Sequence, residues 1–282
     1  MRTSVLLTII NQTRVNRLPA ALQAGQWLRM RFFCINSLGL MVWVMCVTLP
    51  RIGLAENFLD PAKVLPENMQ LHGFMSQAFF NSSDNNVYGQ SADGISPGLT
   101  EIGLNLNYQP LNNLRFAAQG LYRRAGDVDP GSLRLDYGLA DLTLIDYGNS
   151  LLGLRAGRVK IPYGLYNETR DVAFTHPTIL LPQGIYFDRS RSLMLSADGG
   201  SLYAEQRTGL GDIKFKFNVG MPSDDLNEIK TIVLGTNKAN GSFSTKPAIV
   251  TQLSYEHNNG EFIFAVSYMD LKGASKNPPM LK

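Results

Sequence analysis

From Leu71 onward, apolar and polar residues alternate with period two, and no apolar pattern of helical period persists over three turns. The clearest case is Ile102, Leu104, Leu106 and Tyr108, which alternate with Glu101, Gly103, Asn105 and Asn107. A strand there turns one set to an apolar face and the other to a polar face. Ile213, Phe215, Phe217 and Val219 follow the same rule against Lys214, Lys216, Asn218 and Gly220, as do Phe262, Phe264, Val266 and Tyr268. Weaker copies at 71–80, 114–123, 133–145, 151–159, 192–207 and 249–257 raise the predicted number of strands to nine. Within 133–145 the apolar phase flips near Ala140-Asp141, which predicts a bulge at that point.

The connections alternate in length. Short, turn-rich ones are expected at 109–113, 146–150, 208–211 and 258–260, and long ones at 81–98, 124–132, 160–191 and 221–247. Strands of about ten residues, joined alternately by short turns and long loops, are the pattern of a transmembrane β-barrel. Only a closed sheet pairs every strand's backbone groups in hydrocarbon. The expected fold class is therefore all-β, an antiparallel transmembrane β-barrel. An odd strand count and a tail that reads as another loop predict an incomplete barrel, truncated at its C-terminal side.

Composition divides the chain. Residues 1–55 hold six arginines, no acidic residue, both tryptophans (Trp27, Trp43) and both cysteines (Cys34, Cys46). Without those six of the 26 basic residues, 20 remain against 23 acidic ones, so the basic balance belongs to this segment alone. Arg29-Met-Arg31, the apolar run 38–49, and Gly53 and Ala55 form the three parts of a signal peptide. Its expected true start is Met30 and cleavage follows Ala55. The apolar run is too short to cross a bilayer as a helix, which needs about 20 residues. The expected organisation is a leader at 1–55, an N-terminal periplasmic segment at 56–70, and a partial barrel at 71–282 with a constriction-type loop at 160–191. Cleavage leaves no cysteine and hence no disulfide framework. No basic cluster with interleaved aromatics points to nucleic acid.

The run Ala156-Gly-Arg-Val-Lys-Ile-Pro-Tyr-Gly-Leu-Tyr-Asn-Glu-Thr-Arg-Asp171 resembles the segment of Gram-negative outer-membrane porins, general and phosphate-selective, in which a strand enters a loop folded into the pore. The resemblance covers about 71–270. It implies a barrel of about 16 strands, of which nine are present here, and a homotrimer in the full-length form. It also implies passive diffusion of small hydrophilic solutes or ions across the outer membrane, and contact with outer-membrane lipid.

Charged positions supply the candidate pore lining. Arg158, Lys160, Arg170, Arg189 and Arg191 face Glu168, Asp171 and Asp188 in and beside the long loop. On the strands Arg115, Arg123, Arg134, Arg155, Lys214 and Lys216 outnumber Glu101, Asp136, Glu256 and Glu261 on the polar phase. Rings of charge set ion preference, so a weak anion preference is expected, against the alternative that the charges pair off. Tyrosines near strand ends (Tyr108, Tyr122, Tyr147, Tyr163, Tyr255, Tyr268) fit aromatic girdles or plain β-propensity. No catalytic, metal or cofactor site is expected: His72, His176 and His257 lie in no nucleophile or ligand pattern. The competing readings are an outer-membrane barrel hydrolase using His176, and a plugged structural or adhesive barrel.

Overall fold

A computed structural model describes residues 4–11, 65–222, 242–271 and 273–276. The chain divides into two compact units, Met1–Gln12 with Asn68–Lys282, and Thr13–Glu67. The second is described only at residues 65–67, so Met30, the leader's apolar run and the cleavage position lie outside the described residues.

The first unit is a sheet of antiparallel strands. They are β1 (Ser4–Asn11), β2 (Met69–Phe80), β3 (Ser96–Leu111), β4 (Leu114–Ala125), β5 (Asp129–Tyr147), β6 (Ser150–Lys160), β7 (Ser196–Thr208) and β8 (Gly211–Pro222). After β9 (Ser242–Thr245) come β10 (Ala248–His257), β11 (Phe262–Asp270) and β12 (Gly273–Lys276). The order is β1-β11-β10-β8-β7-β6-β5-β4-β3-β2, with β9 and β12 paired separately. From β2 to β11 each of the nine strands pairs with its sequence neighbour in the sheet, the arrangement of an up-and-down meander. These nine are the strands that the alternation marks. The sheet is open: β2 and β1 are its edges and do not pair with each other. Ser4–Asn11, within the segment read as a leader, lies along β11 from Ser4 opposite Met269 to Asn11 opposite Phe262.

Burial is inverted relative to a water-soluble sheet. Ile102 and Leu104 are 44% and 55% exposed, whereas Glu101 beside them is 4% exposed. The register carries this across the sheet. Leu104 lies opposite Gly120, Leu142 opposite Leu154, and Leu253 opposite Val266, all on one bare face. The other face holds Gln119, Arg123, Ser201, Asn218, Gln252 and Ser267, all buried. The 161–195 connection covers that face. Packing there is completed by a small apolar cluster of Ile161, Ala197, Val250 and Met269.

Two expectations need correction. β5 is irregular at two places, neither of them Ala140-Asp141: Gln119 pairs with Tyr137 and Gly120 with Leu135, so Asp136 is skipped, and Thr143 pairs with Gly153 and Ile145 with Leu152, so Leu144 is skipped. Asp136 is 1% exposed and is held by Gln119 and Lys160. Tyr137 and Leu139 then fall on the covered face although they are apolar, which displaces the apparent phase change down the sequence. The second correction concerns 124–132, which forms no long loop. β4 and β5 extend to Ala125 and Asp129, and the turn between them is 126–128, closed by the Val128 amide on the Ala125 carbonyl at 3.0 Å. Gly126 takes φ +51° there, and a Cβ would stand 2.2 Å from the Val87 carbonyl oxygen. Only glycine lets this turn dock on the 81–95 loop.

Candidate functional site

The site is the covered face together with the 161–195 connection, which contains the short helix α1 (Arg191–Leu195). Two sets of contacts hold the loop down on this face, one toward each edge of the sheet. Near β10 and β11 they are neutral: the Gly164 amide donates to Ser267 Oγ at 3.1 Å, and Gln252 Nε2 donates to the Gly164 carbonyl at 2.6 Å. Tyr186 then stiffens the loop by accepting from the Leu165 and Tyr166 amides at 2.7 and 2.9 Å. Burial pushes the Tyr186 phenol above its ordinary range.

Near β3 and β4 the anchor is ionic. Asp188 accepts from Arg123 of β4 at 3.0 Å, from Arg170 at 3.1 Å and from Tyr88 Oη at 3.0 Å. Arg123 also donates to Glu101 at 2.9 Å. Arg191 contacts Asp171, and reaches Asp188 at 3.5 Å and Glu101 at 3.8 Å. Lys160 bridges Asp136 and Asp171 at 2.5 Å each, and Arg134 pairs with Asp129 at 2.9 Å. The five cations of this network face five carboxylates, so it is formally neutral. Desolvation explains the balance, because a buried charge without a partner costs several kcal/mol. Burial first, and then Arg123 and Arg170 nearby, push the Arg191 guanidinium well down. Burial, followed by Asp188, raises the Tyr88 phenol.

Two further groups lie along the same face. Arg115 and Arg155 both pair with Asp141, at 2.8 and 3.1 Å, and Tyr203 Oη donates to that carboxylate at 2.7 Å. Arg155 also stacks 4.4 Å over the Tyr203 ring. Two guanidiniums thus share one acid, and the Arg115 side chain is 47% exposed. Farther round, Lys214 pairs with Glu256 at 2.8 Å, and Lys216 reaches Glu168 of the loop.

Of the sequence-predicted lining residues, the structure brings Arg115, Arg123, Arg134, Arg155, Lys160, Glu168, Arg170, Asp171, Asp188, Arg191, Lys214 and Lys216 into this site. Two do not belong. Arg158 pairs across the strands with Asp198 in phase with Leu154 and Ala156, on the bare face. Arg189 is exposed and makes no ion pair among the described residues. The alternation missed Asp129, Asp141 and Tyr203 as partners. Asp141 was legible in principle, since it occupies the polar phase of β5 opposite Arg115 and Arg155. His176 contacts the Thr178 carbonyl at 2.6 Å and lines a small cavity with Arg123, Arg170 and the carboxylates of Glu101 and Asp188, which are already taken up by ion pairs with arginines. Among the described residues there is no cluster of three metal-ligating side chains.

No protein-family model matches the chain, and no curated protein matches its sequence.

Proposed function

We propose that this chain forms the wall of an outer-membrane channel through which small hydrophilic solutes or ions diffuse passively. One observation carries the reading: a sheet bare and apolar on one face and charged on the other, with a long loop tied down on the charged face. Lipid suits the first face, because apolar side chains exposed across a whole sheet would be costly in water. A wet lumen suits the second, and the 161–195 loop then narrows it. The strand lengths and the short turns at one end agree with a transmembrane barrel, of which this open sheet is a part. The likeness of 156–171 to general and phosphate-selective porins points the same way, to a full-length homotrimer in a Gram-negative outer membrane. The ionic network is balanced, so any anion preference is weak and arises where Arg115 and Arg155 outnumber Asp141.

The number of loop anchors favours one competing reading, a plugged barrel with no conductance. The test is planar-bilayer recording on the purified, refolded chain. Discrete conductance steps, with a reversal potential slightly toward anions in a salt gradient, are expected. Membrane-inserted protein that gives no steps would overturn the channel in favour of the plug.

A further inference from the structure

The bare face is not uniformly apolar, and where it changes character two hollows meet. One is a groove of about 370 Å³ whose floor is made of small residues, Ala118, Gly138, Ala140 and Ala156, and whose wall is Leu106 with the stacked rings of Tyr108 and Phe116. The other is a cleft of about 100 Å³ lined by Arg134, Arg158 and Arg191, with Asp136 as the one carboxylate. The hollows touch at a single register row. Leu106 lies opposite Ala118, Ala118 opposite Gly138, and Gly138 opposite Arg158. An apolar trough therefore ends on a cation.

The cleft is built rather than incidental. The bulge at Asp136 opens the sheet edgewise, and α1 closes the far side through Arg191, which is 6% exposed. The Nε atoms of Arg134 and Arg191 are buried without a protein hydrogen-bond partner. Arg158 is held by Asp198 at 2.7 and 2.8 Å and by the Leu135 carbonyl at 3.3 Å. Asp198 is 57% exposed, and so solvent-facing an ion pair is weak and open to exchange.

Depth fits an amphiphile. Strands rise about 3.3 Å per residue and tilt about 40° in a membrane barrel, so Ala118 stands about 10 Å and Arg158 about 20 Å above the short-turn rim. The apolar band of such a barrel is about 25 Å tall. By the same measure Phe116 stands about 5 Å up, so the groove runs from the short-turn side through the membrane's middle, and Arg158 sits toward the interface on the long-loop side.

On this basis, and resting on the membrane reading above, we infer that the bare face carries a lipid site: an acyl chain lies in the Ala118–Ala156 groove, and its phosphate headgroup is bound by Arg158 at the mouth of the cleft, whose inner wall is made cationic by Arg134 and Arg191. Guanidinium forks match phosphate oxygens bidentately, which favours a phosphorylated lipid over a carboxylic amphiphile.

The test is native mass spectrometry of the full chain reconstituted in phosphatidylcholine vesicles doped with phosphatidic acid, then extracted in mild detergent. The wild-type chain is expected to retain phosphatidic acid at least about tenfold over its share of the vesicle lipid, as charge-assisted bonds of ordinary strength allow. Arg158→Gln is expected to abolish the enrichment, Arg158→Lys to keep part of it, and Ala156→Leu to reduce it by filling the groove. Folding of each variant is checked by heat-modifiable electrophoretic mobility, and the conservative lysine variant keeps the test decisive if the glutamine variant fails to fold. Equal retention of both lipids by the wild type would overturn the inference. So would displacement of the lipid by inorganic phosphate alone, which would make the cleft a free-phosphate site. A stable dimer that Ala156→Leu dissolves would also overturn it, by giving the groove to a second copy. Protein that never inserts into the vesicles fails the membrane reading instead, a result distinct from insertion without lipid preference.

Discussion

Replacing Asp188 with asparagine removes the charge on which the ionic anchor turns. Its carboxylate takes hydrogen bonds from Arg123, Arg170 and Tyr88 and lies within 3.5 Å of Arg191. The substitution leaves three buried guanidiniums to share Glu101, Asp129 and Asp171, and five cations then face four carboxylates. Removing one member of a buried ion pair typically costs about 3–5 kcal/mol. The cost falls on the β4 side of the loop, because the Gly164 anchor on Ser267 and Gln252 involves no charge. Asp188→Asn is therefore expected to free residues 170–190 from β4 while the sheet survives. Three readouts report this in reconstituted protein: a lowered thermal midpoint of heat-modifiable mobility, faster proteolysis between Val172 and Gly184, and a larger single-channel conductance with more anion preference. A loss below about 1 kcal/mol, the range of an exposed pair, with unchanged conductance would refute the claim that Asp188 holds the loop down.

Other expectations concern separate parts of the molecule. Arg115→Gln with Arg155→Gln leaves Asp141 unmatched, so the reversal potential in a salt gradient should move toward cations; no movement would remove these residues as the source of selectivity. Leu104→Arg places a charge on the bare face, at about 2–4 kcal/mol near the bilayer midplane, and should impair insertion, whereas Asn105→Arg on the covered face should be tolerated; equal tolerance of both would contradict the assignment of faces. The Tyr88 phenol is raised by burial and Asp188, so the folded chain holds that proton more tightly than the unfolded one. Its contribution is present below pH about 10 and is lost as pH rises above that, and Tyr88→Phe should flatten this part of the alkaline stability profile. Gly126→Val, facing the Val87 carbonyl with φ +51°, should detach the 81–95 loop and expose it to protease without removing β4 or β5.

Much of the sheet could be read from the chain because both of its faces enforce the same two-residue period. One must be apolar and the other polar, so each of the nine strands from β2 to β11 in the main sheet left a trace of alternation, while β9, outside that sheet, did not. Legibility failed where that rule is locally broken. Tyr137 and Leu139 are apolar yet lie on the covered face, so the alternation put one phase flip between the two irregularities, at Asp136 and Leu144, and on neither. Arg158 looked like a lining charge because it precedes the loop, but strand parity puts it with Ala156 on the other face. The loop's charges were visible as residue types, whereas their neutrality was not. Asp129 opens β5 in a stretch that reads as loop, and Asp141, although in polar phase, sits at the apparent phase flip that obscured its side. Tethers such as Gln252 to Gly164 join residues 88 positions apart and have no local signature at all.

The most direct test of the account is which face of the sheet meets lipid. With Cys34 and Cys46 replaced, single cysteines at 213 through 219 of β8 can be spin-labelled in the full chain reconstituted in vesicles. Labels at 213, 215, 217 and 219 are expected to collide with lipid-soluble oxygen, those at 214 and 216 with a water-soluble nickel chelate, and the one at the buried position 218 with neither. A period of two, with the charged positions wet and the apolar ones in lipid, would place the bare face against the membrane. Uniform access of the nickel chelate to all seven positions would contradict it.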